Sequence, residues 1–156
     1  MAKLTDADVV DSVDRRGYAQ FGFAYVTSGR KLVRAAPMPE FLRELAERGR
    51  ASCAAGSARF DPCIVTRYPA GAGIGWHTDA PCFGDWVMAL SLGRAADRLL
   101  RANGSEVVVH RQTVAPGSLY CLHGAARWDY QHAVEAVAGE RFSVTYRHTV
   151  PATPGA

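Results

Sequence analysis

From residue 63 to residue 148 the chain is a series of short β-favouring runs broken by turn residues, and this pattern restricts its fold more than any other feature. The runs cover residues 64–68, 86–92, 98–101, 106–114, 119–122 and 141–148, and are rich in branched and aromatic side chains. Asn103-Gly104 predicts a tight hairpin turn, and Ala115-Pro116-Gly117-Ser118 a second reversal. Two stretches upstream read as helices. Residues 5–13 have Thr5 as a cap and acidic residues in the first turn, and residues 38–48 have Phe41, Leu42 and Leu45 at helical spacing before Gly49. Short antiparallel strands after helices predict a mainly β chain with flanking helices (α+β), built as a jelly-roll or sandwich.

The last run, Arg141-Phe142-Ser143-Val144-Thr145-Tyr146-Arg147, alternates strictly. Side chains two apart on a strand share a face, so Arg141, Ser143, Thr145 and Arg147 lie opposite Phe142, Val144 and Tyr146. Two guanidiniums on the inner face of a β-core are costly unless they meet anions, and arginine suits bidentate carboxylate binding. A dicarboxylate fits that demand; an ion pair with Asp61, Asp85 or Glu140, or a solvated sheet edge, is the plainer alternative.

A second constellation lies in Tyr68-Pro69-Ala70-Gly71-Ala72-Gly73-Ile74-Gly75-Trp76-His77-Thr78-Asp79, a glycine-rich loop leading into a His-x-Asp pair. In extended backbone His77 and Asp79 project to the same side and can meet one cation. A third ligand from a distant strand would complete two imidazoles and one carboxylate, a set that leaves open positions on iron for co-substrate and dioxygen. His132, after Trp128-Asp129-Tyr130, is the preferred third ligand, and His123 is its competitor.

Composition sets the remaining limits. The 156 residues are 48% apolar and 21% charged, which excludes a disordered or fibrous chain and fits one domain over 1–156 with its core at 60–148. Apolar stretches are far too short to span a bilayer, and the first ten residues, with Lys3, Asp6 and Asp8, lack a secretory pattern; a cytoplasmic location is expected. Four cysteines without Cys-x-x-Cys spacing predict reduced thiols, with neither a structural zinc nor a disulfide. The net charge of +3 comes from the N-terminal part, where Arg15, Arg16, Arg30, Lys31 and Arg34 precede Pro39 with no acidic residue among them. Such a patch faces phosphates or simply water. A monomer is the default, and the tail 149–156 is expected to fray.

Taken in order, His77-x-Asp79 with its Tyr68 to Trp76 lead-in, the approach to His132 and Arg141-x5-Arg147 resemble the AlkB-like family of Fe(II)/2-oxoglutarate dioxygenases. Ser91-Leu92-Gly93, Pro116-Gly117-Ser118-Leu119-Tyr120 and Ala126-Arg127-Trp128 extend the likeness over roughly residues 60–148. Phe21-Gly22-Phe23, Tyr25 and the stretch 37–45 are similar to small bacterial members, with residues 1–59 as an extension holding a lid-like segment.

The resemblance implies a double-stranded β-helix, the jelly-roll, with Fe(II), 2-oxoglutarate and O2 as cofactor and co-substrates. It makes His77, Asp79 and His132 the iron ligands. Arg141 would bind the distal carboxylate of 2-oxoglutarate, with Arg147, Tyr68 and the Ser143 position assisting. Tyr25, Trp76 and Trp128 are the expected substrate contacts. The implied activity is oxidative demethylation of alkylated bases, with single-stranded or damaged nucleic acid as partner; hydroxylation or demethylation of a protein or small molecule is the alternative. Three positions depart from the DNA-repair members: Thr66 and Ser143 stand where asparagines are usual, and Pro81 where an acidic residue contacts the base.

Overall fold

The computed structural model describes residues 10–11 and 16–149. In chain order the elements are β1 (Val10–Asp11), β2 (Gly17–Phe21), β3 (Phe23–Val26), β4 (Lys31–Arg34), α1 (Glu40–Ser52), β5 (Cys63–Tyr68), β6 (Ile74–His77) and β7 (Phe83–Gly93). They continue as β8 (Ala96–Ala102), β9 (Val108–Val114), β10 (Leu119–Leu122), α2 (Ala125–Trp128), β11 (Tyr130–Val134) and β12 (Arg141–Thr149). Two sheets form the body: a six-stranded one in the order β1-β2-β5-β12-β7-β10, and a four-stranded one in the order β6-β11-β8-β9. Every pairing within them is antiparallel. The expected jelly-roll, mainly β with helices at its flank, is the fold observed.

The large sheet is amphipathic in the sense that alternation demands. Ala19, Phe21, Cys63, Val65, Met88, Val144 and Tyr146 are buried on its outer face, where Leu42 and Ala46 of α1 cover them. The alternate residues of the same strands, Tyr18, Gln20, Thr66, Ser143, Thr145 and Arg147, face the interior between the sheets. One apolar face therefore anchors the helix and leaves the other free to be polar. The Tyr146 hydroxyl donates to the Leu42 carbonyl at 2.8 Å, tying β12 to α1 through a buried hydrogen bond.

All six predicted runs are strands, and Asn103-Gly104 turns the β8–β9 hairpin, with Gly104 at φ 76° and the Ser105 amide bonded to the Ala102 carbonyl. The predicted helix 38–48 runs on as Glu40–Ser52, past Gly49. That glycine does not stop the helix because it serves packing: a Cβ there would lie 2.4 Å from the Met88 sulfur. The helix expected over 5–13 falls mostly outside the described residues, and Val10–Asp11 within it forms β1, paired with β2. Of the tail 149–156 expected to fray, Thr149 instead ends β12, bonded to the Arg59 carbonyl and the Asp61 carboxylate, and the rest lies outside the described residues. Strands β2, β3, β4, β6 and β11 were not foreseen. No helix among the described residues is long and apolar enough to cross a membrane.

The cysteine expectation needs correction. Cys53 and Cys121 form a disulfide, with Cα atoms 6.5 Å apart, because the C-terminal end of α1 settles over β10. Pairs brought together across 68 residues leave no spacing signal. Of the other two, Cys63 is fully buried and burial pushes its thiol up to about 12, whereas Cys82 is exposed. A thiol titration of the native protein is therefore expected to count one reactive group, Cys82, rising to two in denaturant and four after reduction. Three or four thiols in unreduced denaturant would contradict the pairing.

Candidate metal and co-substrate site

Between the two sheets lies a cavity of about 500 Å³. The large sheet supplies its polar wall through Thr66, Tyr68, Ser143, Thr145 and Arg147, and the small sheet supplies His77, His132 and Val134. β11 aligns with β6 so that His132 and His77 are direct cross-strand partners, and their rings stand 4.2 Å apart. Asp79, two residues beyond the end of β6, has a side chain 4% exposed, with Oδ2 3.8 Å from His132 Nε2. The three predicted ligands thus converge, while the competitor His123 stacks on Trp86 at 4.4 Å instead.

Hydrogen bonding sorts the free electron pairs. The carbonyl of Gly75 can only accept, so His77 Nδ1 donates to it at 2.8 Å, and Nε2 keeps its lone pair. Arg147 grips one carboxylate oxygen of Asp79, with Nε at 2.8 Å and Nη2 at 2.6 Å from Oδ1. The other oxygen, Oδ2, is buried and accepts no hydrogen bond. A carboxylate oxygen left this way calls for a cation, and two imidazoles beside it make a donor set that fits Fe(II). Burial raises the Asp79 carboxyl, but Arg147 foremost, then His132 and His77, outweigh it and bring the group down to about 2. Burial, reinforced by His77, holds His132 down at about 4. At neutral pH the carboxylate is charged and His132 is unprotonated, the states a metal requires.

Beneath the polar wall lies Arg141, with no exposed surface. Its Nε donates to the Ser91 hydroxyl at 3.0 Å, its guanidinium lies 4.9 Å from the Tyr68 ring centre, and both terminal nitrogens are buried without partners. Two unsatisfied donors on a buried cation form a receptor for a carboxylate. Arg147 also retains one free buried nitrogen, Nη1, after binding Asp79. Ser143, whose hydroxyl lies 3.3 Å from that of Thr145, faces the cavity directly opposite Thr66 across the β5–β12 pair. The two positions that depart from the repair members are therefore neighbours, and short side chains widen the cavity there.

The expected substrate contacts divide. Tyr25 and Pro81 line the cavity mouth, where Tyr25 meets Phe83 at 6.1 Å. Trp76 does not line it, its ring instead lying under the Arg101 guanidinium at 4.4 Å. Trp128 stands outside the cavity too, 41% exposed, with its indole N–H bonded to Asp85 at 3.1 Å.

This arrangement agrees with what the chain is similar to. The family model described as the 2OG-Fe(II) oxygenase superfamily matches residues 12–147, and the chain belongs to that superfamily, whose oxidoreductases use Fe(II), 2-oxoglutarate and O2. Among solved structures, that of OsALKBH1 superposes with a TM-score of 0.68 at 17% identity, covering 95% of this chain and 82% of the other. An oxidoreductase of the 2OG-Fe(II) oxygenase family from Burkholderia pseudomallei superposes at 0.64 with 20% identity, covering 90% and 71%. A curated relative, the RNA replication protein of Grapevine virus A (isolate Is 151), is 28% identical over 92 residues, which are 57% of this chain and 5% of that protein.

One positioning residue was passed over as mere family likeness. Arg127 on α2 is 3% exposed and donates to four backbone carbonyls, those of Asp79 at 3.3 Å, Ala80 at 3.0 Å, Phe83 at 3.2 Å and Gly84 at 3.2 Å. It fixes the loop that carries Asp79 to the helix that leads into His132. An arginine five residues before a candidate ligand was visible in the sequence, but its carbonyl partners were not. Arg127→Met is expected to cost about 2–4 kcal/mol of stability, since four buried acceptors lose their donor, and to weaken divalent-metal binding. Urea unfolding and Mn(II) titration check both; unchanged values in each would show that the loop holds its shape unaided.

Proposed function

We propose that the chain is a 2-oxoglutarate-dependent dioxygenase that removes methyl groups from alkylated nucleic-acid bases. The observation that carries the iron chemistry is the orphaned Oδ2 of Asp79 beside His77 and His132. In this reading those three side chains would hold Fe(II), and a set of only two imidazoles and one carboxylate would leave the metal able to take co-substrate and dioxygen as well. Arg141 binds the distal carboxylate of 2-oxoglutarate, and Tyr68 and Ser143 border its path. Arg147 has two tasks: it keeps Asp79 ionised and aimed, and its free Nη1 supplies a donor near the co-substrate's other end. When bound, the iron and 2-oxoglutarate supply the oxidising chemistry, in which O2 yields succinate, carbon dioxide and a hydroxylated substrate carbon. On an N-methyl group that hydroxylation releases formaldehyde and the free amine.

The nucleic-acid part rests on the β3–β4 hairpin. Tyr25 stands in the cavity mouth, and Arg30 and Lys31 are exposed at the turn of the same hairpin. An aromatic ring over the entrance with cations beside it suits a flipped or single-stranded base whose phosphates remain outside. Arg16 and Tyr18 add to the same rim. The name of the viral relative points to RNA as one such substrate.

An oligonucleotide screen tests this reading. Single strands carrying N-methylated bases are expected to lose methyl groups with equal yields of formaldehyde and succinate. Arg30→Ala with Lys31→Ala is expected to raise KM several-fold, to lessen its dependence on salt, and to leave kcat near wild type. Turnover of methylated peptides or small molecules with none of any oligonucleotide would reassign the substrate to the alternative class.

A further inference from the structure

A second buried arginine lies behind the cavity wall, as Arg141 does, and its contacts within the fold leave part of its guanidinium without partners. Arg98 on β8 is 5% exposed. Its cross-strand partner on β11 is Val134, which lines the cavity, and its guanidinium lies 4.5 Å from the ring centre of Tyr120, which lines it as well. Nη2 donates to Gln112 at 3.2 Å, whereas Nε and Nη1 are buried without partners. Among the described residues no carboxylate pairs with it: Asp97, its neighbour, projects to the other side of the sheet and binds Arg111 and Thr113. Arg98 stands behind Tyr120 much as Arg141 stands behind Tyr68. The buried phenol of Tyr120, raised above its ordinary value by burial, feels the positive charge of both arginines.

A guanidinium at such a depth with two of its three nitrogens unsatisfied is unfavourable, and apolar side chains would fill an interior position beside valine and tyrosine at less cost. We propose that Arg98 is a second anchor for the distal carboxylate of the co-substrate, so that this chain clamps that group between Arg98 and Arg141, with the hydroxyls of Tyr68 and Tyr120 beside it. The inference rests on the co-substrate reading above and extends it to a residue specific to this strand. Its consequence is selectivity: two guanidiniums on one carboxylate make the site intolerant of 2-oxo acids that lack the distal charge.

The test measures binding rather than turnover. Mn(II)-loaded protein, held anaerobic, is titrated calorimetrically with 2-oxoglutarate and with 2-oxopentanoate, which has the same chain length without the distal carboxylate. Arg98→Gln is expected to weaken 2-oxoglutarate binding on the order of tenfold to a hundredfold, the range for hydrogen bonds to charged groups, and to leave 2-oxopentanoate unchanged. Arg141→Gln is expected to behave alike, and Arg98→Lys to keep part of the preference. Metal-free Arg98→Gln is also expected to melt no lower than wild type, because it removes an uncompensated buried charge. Unchanged 2-oxoglutarate affinity in Arg98→Gln alongside a loss in Arg141→Gln would overturn the clamp and leave the co-substrate reading standing. Equal loss for both acids, or a lowered melting temperature in the metal-free variant, would assign Arg98 a packing role. A wild type that binds neither acid would overturn both proposals.

Discussion

The bond between Arg147 and Asp79 joins the two sheets at the place where their chemistry converges. Asp79 follows the last residue of β6 in the small sheet, and Arg147 lies on β12 in the middle of the large one. A carboxylate only 4% exposed cannot stay charged without a partner, and one oxygen is satisfied by the guanidinium. That leaves Oδ2 turned toward His132, so the same contact that ties the sheets also orients a candidate ligand. Arg127 supports this arrangement from behind by holding the backbone of the loop. The position of Asp79 is thus determined twice, through its side chain by β12 and through its main chain by α2.

The interior is also short of negative charge. Arg147 lines the cavity and Arg98 and Arg141 lie behind its tyrosines, each with buried nitrogens that lack partners, and Asp79 is the carboxylate that lines it among the described residues. A core of this kind is stable only as far as the surrounding fold enforces it, and α1 does so by covering the outer face of the large sheet. The dicarboxylate co-substrate of the superfamily has the charge and length that such an interior lacks. Burying cations in this way opposes stability, and an anionic ligand bound beside them would offset that cost.

Much of this was readable from the chain. Strict alternation over 141–147 disclosed which residues of β12 face inward, and His77-x-Asp79 placed two candidate ligands on one side of an extended segment. That His132 rather than His123 faces His77 depends on β11 pairing with β6, a long-range register that no local pattern encodes. β11 itself escaped notice because Tyr130-Gln131-His132 reads as a loop between aromatic residues and the final strand. The N-terminal strands β2, β3 and β4 were missed for a similar reason: their runs are short, and pairing decides their state, of β2 with β5 and of β3 with β4. The tryptophans misled, because size and polarity suit a substrate wall as well as an outer surface. Arg98 and the Cys53–Cys121 bond depend on tertiary proximity alone.

The central claim is that His77, Asp79 and His132 bind one iron beside a co-substrate held by Arg141. Its most direct test is an anaerobic titration of the protein with Fe(II) and 2-oxoglutarate, followed in the visible region for the charge-transfer band of the chelate, before air is admitted and succinate assayed. The account predicts a band that saturates at one iron per chain, is abolished by Asp79→Ala and by His132→Ala, and is followed by succinate. A folded wild-type protein that shows neither band nor succinate, or an Asp79→Ala variant that retains both, would contradict it.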